Sequence, residues 1–154
     1  MTEAQRIADL LKKSIDGEAW HGPSVFDALE DITAEQAAGH PIDSAHSIWE
    51  IAGHIAVWME FPLARVRGTA AEELSPSENF PTAPSRPDDN AWEALKARIH
   101  RAAEAWYPEL EKYDDDALNK PREGKYPSIA EVMYGVVQHN AYHGGQIAVL
   151  KKGV

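Results

Sequence analysis

The run Ser128-Ile-Ala-Glu131-Val-Met-Tyr-Gly-Val-Val-Gln-His139-Asn-Ala-Tyr-His143-Gly-Gly-Gln146 decides how this chain folds. It opens on Ser-x-x-Glu, the pattern of a capping box, in which the Ser128 hydroxyl accepts the Glu131 amide and the Glu131 carboxylate accepts that of Ser128. Pro127 prevents an earlier start, and Lys151, Lys152 and Gly153 provide a basic last turn and a glycine stop. One long helix follows. At about 100° per residue, His139 and His143 stand one turn apart on the face that also carries Val132, Val136, Ile147 and Leu150. Two imidazoles therefore point toward a helical core, where each needs a partner.

The other helices follow from the same signals, taken from the N-terminus. Residues 2–15 are amphipathic, with Ile7, Leu10, Leu11 and Ile15 inward and Lys12 and Lys13 outward. Gly17 through Pro23 break this helix. Ser24 and Thr33 then start short pieces, expected as a lid or connector across one end, and Gly39-His-Pro41 ends them. Ser47-Ile-Trp-Glu50 is a further capping box, opening a second long helix that runs to about Gly68. Its inward face is Ile51, His54, Ile55, Trp58 and Phe61, and Pro62 removes the hydrogen bond to the Trp58 carbonyl and bends it. Residues 69–88, with four prolines, are too long for a tight helical hairpin. They are long enough to cross the length of a bundle and leave the second and third helices parallel. The third helix is expected from Asp89 to Tyr113, with a seam of Trp92, Leu95, Ile99, Ala103, Trp106 and Leu110 and a disturbance at Pro108. Asp114 to Tyr126 reads as a polar link. No period-2 strand pattern and no internal repeat stand out. The expectation is an all-α, four-helix bundle with a long crossover between helices 2 and 3, formed as a single domain over residues 1–154.

Bulk properties narrow the function classes. The formal charge is −10, from 15 Lys and Arg against 25 Asp and Glu. Such a surface repels phosphate backbones and anionic lipid, so neither nucleic acid nor membrane is expected as a partner. With no cysteine in the chain, disulfides, thiolate ligands and an internal thiol nucleophile are ruled out. The N-terminus lacks a signal-peptide pattern and no apolar run reaches membrane-spanning length, so a cytoplasmic protein is expected.

An i, i+4 histidine pair chelates a divalent ion with two neutral nitrogens, although surface pairs and hydrogen-bonded core histidines share this spacing. A third histidine, His54, faces inward from another helix, and bundle cores build metal sites from facing helices. The His-Glu-x-x-His metalloprotease mechanism is disfavoured, because Asn140 occupies the general-base position and accepts no proton.

His54 within Ser47-Ile-Trp-Glu-Ile-Ala-Gly-His-Ile-Ala-Val-Trp58, followed by His139-Asn-Ala-Tyr-His143-Gly-Gly-Gln146-Ile147, resembles the DinB-like superfamily, the DNA-damage-inducible bundles that include YfiT-like proteins. The likeness spans nearly the whole chain. It implies an up-down-down-up bundle and a divalent metal, zinc or nickel in the first instance, bound by His54, His139 and His143 with water in the remaining positions. It also implies a homodimer. Characterised members are thiol-dependent transferases or isomerases that use low-molecular-weight thiols such as bacillithiol or mycothiol. The resemblance thus implies a metal-dependent thiol S-transferase or hydrolase acting on a small electrophilic substrate in stress response or detoxification. A non-catalytic metal- or small-molecule-binding bundle is the alternative, since no general acid or base is evident beside the ligands.

Further residues have weaker patterns. Gln146, within a turn of both ligands, is placed to orient a ligand imidazole or a metal-bound water, or to make a helix or dimer contact. Trp58, one turn beyond His54, reads as core more than as substrate platform. Gly144 and Gly145 give close packing or room by the site, and Tyr142 reads as packing. His21, His40, His46 and His100 read as ordinary surface or hydrogen-bonded histidines, His46 being the nearest to the ligand helix. Glu72-Glu73 and Asp114 to Asp116 read as solvated loops.

Overall fold

Among the described residues, eight Ser, Thr or Asp side chains start helices by accepting the amide three residues on. In the computed structural model, which describes residues 1–69, 73–122 and 127–154, four long helices result. They are α1 (Glu3–Asp16), α4 (Ile48–Val66), α6 (Asp89–Glu104) and α9 (Ile129–Leu150), interspersed with short α2 (Val25–Leu29), α3 (Ala34–Ala38), α5 (Pro76–Asn79), α7 (Tyr107–Leu110) and α8 (Asp115–Asn119). No β-strand forms among the described residues.

Side-chain contacts fix the helix directions. Trp49 packs on Trp92, Glu60 binds Arg98, and Arg67 donates to the Ala105 carbonyl, so α4 and α6 run parallel. Tyr134 donates to Glu3 and Asn140 to Ser14, so α1 and α9 also run parallel. Ile51 shares a cleft with Leu150, whereas Pro62 shares a cavity with Val132, so α4 and α9 are antiparallel. The order is up, down, down, up. The 69–88 connection between the parallel helices contains residues 70–72, which lie outside the described part, as does Glu72 of the acidic pair; residues 123–126 of the polar link also lie outside.

The core runs through the bundle and is anchored by two tryptophans. Trp92 and Trp106 are buried, and each satisfies its indole N–H on a carbonyl of another segment, Ile32 at 2.8 Å and Met59 at 2.8 Å. Burying both rings removes apolar surface from water, while the two hydrogen bonds fix the sites at which the rings dock.

Several elements depart from the sequence reading. On α1, Leu10 is partly exposed, because the buried line is Ala4, Ile7, Leu11 and Ile15 with Ser14. The third helix stops at Glu104. Pro108 has no N–H for the Glu104 carbonyl and its ring crowds that carbonyl, so a turn intervenes before α7. By contrast, α4 continues through Pro62 and ends at Val66, with Gly68 at φ +71 just beyond. The Asp114–Asp116 run is not a loop. Asp114 caps α8, where acidic groups favour the helix N-terminus. The 69–88 connection carries the helical turn α5. Segments α2 and α3 pack on α9 and α4 respectively.

The buried line of α9 is Met133, Val136, Asn140, His143, Ile147 and Leu150. Val132 and His139 are half-buried on its flank, because α9 packs against both α1 and α4 and its centre line lies between them.

If the indole hydrogen bonds anchor the core, Trp106→Phe leaves the Met59 carbonyl unpaired and a void beside it. A loss of about 2 kcal/mol or more is expected in urea denaturation. Trp20→Phe, at a fully exposed position, changes stability by no more than about 0.5 kcal/mol.

Candidate metal centre

His54 lies on the second turn of α4, and His139 and His143 lie on successive turns of the antiparallel α9. The capping boxes of Ser47 and Ser128 set where each helix begins, and thereby which residues face across. His54 and His143 are buried at 5 % and 7 % exposure, and His139 is half-buried. One ring nitrogen from each lies within 4.8 Å of the other two, and this trio can hold a metal ion.

The hydrogen bonds behind the rings determine which nitrogens are available. His54 Nδ1 lies 2.7 Å from the Asn79 carbonyl, and His143 Nδ1 lies 2.6 Å from Gln146 Oε1. Carbonyl oxygens only accept, so both Nδ1 atoms carry the proton and both Nε2 atoms present lone pairs. His54 Nε2 faces His139 Nε2 at 3.0 Å. Two nitrogens each about 2.1 Å from one ion stand about 3.0–3.4 Å apart, so the spacing fits a shared cation. His139 Nδ1 is buried with no partner within the described residues.

Electrostatics keep these rings neutral. Burial lowers the proton affinity of His139 to about 3, with smaller contributions from His143 and His54. Burial also lowers His54 and His143, opposed by the bonds to Asn79 and Gln146. A cation thus finds three neutral ligands without displacing protons at neutral pH.

Around the rings stand residues that the sequence reading did not assign. Phe80 stacks flat on His54, with centroids 3.8 Å apart at 2°, and His46 stacks on the opposite face of Phe80 at 3.8 Å and 4°. Asn79 holds both His54, through its carbonyl, and Trp58, whose indole N–H donates to Asn79 Oδ1 at 2.7 Å. Both residues come from the α5 connection, and the Ser75-Pro-Ser-Glu78 capping box that builds it is visible in the sequence. Asn140, noted only for the chemistry it lacks, is fully buried and donates to Ser14 Oγ at 3.3 Å.

Of the weaker candidates, Gln146 accepts from the His143 imidazole through its Oε1. Tyr142 is 65 % exposed rather than packed, and its hydroxyl accepts the Gln146 amide at 3.2 Å. Trp58 is half-buried, its ring 5.7 Å from that of His139. It lines a cavity of about 250 Å³ with Phe61, Pro62 and Val132. Gly145 leaves open space and lines a cleft, while Gly144 packs on Val25. His100 stacks on Phe26, and His40 and His46 both reach Glu50; His21 is exposed.

A family model described as the DinB superfamily matches residues 20–147. The chain belongs to the DinB superfamily. Its match includes His54, His139 and His143. No curated protein and no solved structure matches the chain. Among the described residues, no helix is long and apolar enough to cross a membrane.

The depressed affinity of His139 has a consequence for acid stability. In the metal-free protein the unfolded chain binds a proton at this residue between pH 6.5 and about 3, where the folded chain does not. Its contribution is complete above about pH 6.5 and is lost as pH falls toward 3. Chelator-treated wild type is therefore expected to lose more stability than His139→Gln between pH 6.5 and 4.5 in urea titrations. Equal losses would place the proton elsewhere.

Proposed function

We propose that this DinB-superfamily chain is a metal-dependent enzyme in which His54, His139 and His143 hold a divalent ion, zinc or nickel. The enzyme activates a low-molecular-weight thiol, or water, for transfer to a small electrophile in detoxification or stress response. The observation carrying this reading is a cleft of about 620 Å³ whose wall includes ligand residue His143 and its partner Gln146. That volume suits a small-molecule site. A site closed to all but water is what a bundle that only holds the ion calls for; a non-catalytic small-molecule-binding bundle, the other form of the alternative, is separated from the enzyme by turnover.

Such an ion, its charge not offset by three neutral ligands, supplies Lewis acidity that favours the deprotonated form of a thiol or water. The chain's own residues do the rest. The Asn79 carbonyl and the Gln146 amide oxygen hold two imidazoles in the tautomer that presents Nε2. Phe80 covers the flat face of His54. Ile42, Ala45, Ile51, Val149 and Leu150 give the cleft apolar walls, and among the described residues neither lysine nor arginine lines it. In a chain of net charge −10, that lining favours an uncharged, largely apolar electrophile over an anionic one.

Metal-stripped and zinc- or nickel-reconstituted protein, assayed with thiols and water against aryl halide and ester electrophiles, provides the test. Turnover that appears only with metal and favours neutral over anionic electrophiles is expected. Loaded protein that turns over none of the panel contradicts the enzymatic reading and leaves the binding one. Gln146→Ala, which frees the His143 ring, is expected to weaken metal affinity 10- to 100-fold, about the usual effect of losing such a partner, measured against a chromogenic chelator.

A further inference from the structure

A catalyst that activates a thiol or water also has to receive the nucleophile's proton, and the ligand histidines are committed to the ion. Of the titratable side chains lining the cleft, His143 is a ligand, and the Tyr142 hydroxyl oxygen, a far weaker base than an imidazole, already accepts from Gln146. His46 remains. It is held in place at three points. Its ring stacks on Phe80 at 3.8 Å, its Nδ1 lies 3.3 Å from Glu50 Oε2, and the next residue, Ser47, begins α4.

Glu50 is itself fixed. Its Oε2 accepts the Ser47 amide at 2.9 Å and is approached by His40 at 3.4 Å. Burial alone raises its proton affinity, but the Ser47 amide together with His46 and His40 leaves it below the usual carboxylate value. An ionised carboxylate only accepts, so the proton of neutral His46 sits on Nδ1. Nε2 then carries the lone pair and has no hydrogen-bond partner among the described residues. This is the arrangement by which a carboxylate orients a histidine for general-base work. Phe80 sets the placement, since the same ring touches ligand His54 on one face and His46 on the other.

We propose that His46, oriented by Glu50, is the catalytic proton acceptor and donor of this cleft; the assignment rests on the enzymatic reading above. For a thiol R–SH and an electrophile R′–X, His46 Nε2 takes the proton as the S–H bond breaks. The electron pair left on sulfur forms the S–C bond, and X departs with the C–X pair. The imidazolium then gives the proton to X where X is basic, or to solvent where X leaves as a stable anion such as chloride. R–SH and R′–X thus give R–S–R′, X⁻ and H⁺ (or H–X), with nothing oxidised or reduced. With water the O–H bond takes the place of S–H.

The test uses zinc-loaded full-length protein, 2-mercaptoethanol and 1-chloro-2,4-dinitrobenzene, with water in the thiol's place as a second arm. His46→Phe keeps a ring on Phe80 but no nitrogen, and His46→Ala leaves space for added imidazole. Both are expected to keep wild-type zinc content and to lose about 100-fold in rate, the scale of general acid–base catalysis. Imidazole is expected to restore His46→Ala and not His46→Phe. Wild-type rates in His46→Phe, or a slow His46→Ala that imidazole does not rescue, overturn the role of His46 alone. No zinc-dependent turnover in wild type overturns the enzymatic reading and His46 with it. Independently of turnover, titrating the thioether product into the protein is expected to shift the His46 ring ¹⁵N signals; unshifted signals contradict a His46 that meets ligands in the cleft.

Discussion

Burying an imidazole between two helices removes its water, and each of its nitrogens must then find another partner. Three such rings meet where α4 crosses α9, and the surrounding structure divides their nitrogens into two sets. Outward nitrogens of His54 and His143 are tied to oxygens, one on the α5 connection and one a turn further along α9. Inward nitrogens face one another, neutral and close. Such an arrangement is unfavourable for protons, as the depressed affinity of all three rings indicates, and favourable for a cation with open coordination positions. The bundle holds the rings together through packing that does not involve them, chiefly the two buried tryptophans and the apolar seams of α1, α4 and α6.

Much of this was legible in the sequence because it depends on local rules. Capping boxes at Ser47 and Ser128 mark helix starts whatever surrounds them, and the i, i+4 spacing of His139 and His143 needs only helical geometry. A linker too long for a hairpin implied parallel α4 and α6, the order in which Trp49, Glu60 and Arg67 meet their partners on α6. What failed depends on packing between elements. A helix touching two neighbours has its centre line between them, and that is why Asn140 rather than His139 is the most buried residue of its turn. The helix expected through Pro62 forms, whereas the one expected to run on to Tyr113 past Pro108 stops at Glu104.

The largest omission was the connection before α6. Read as a Pro- and Ser-rich crossover, it also delivers Asn79 to two aromatic partners and Phe80 to the face between His46 and His54. A capping box at Ser75 announced the turn, but nothing local tells which ring a linker phenylalanine will cover. His46, read from its place in a connector as an ordinary surface or hydrogen-bonded histidine, is both exposed and bonded to Glu50; the sequence did not show that Glu50, seen as a helix cap, would be its partner. In the folded chain Glu50 does both.

The central claim is that these three imidazoles exist to hold a metal ion. Metal content per chain, measured by plasma mass spectrometry on protein without a histidine tag after reconstitution with zinc or nickel, tests it most directly. The account predicts about one ion per chain in wild type and almost none in His54→Ala or His143→Ala. Wild type that retains no ion, or variants that retain as much as wild type, would contradict it.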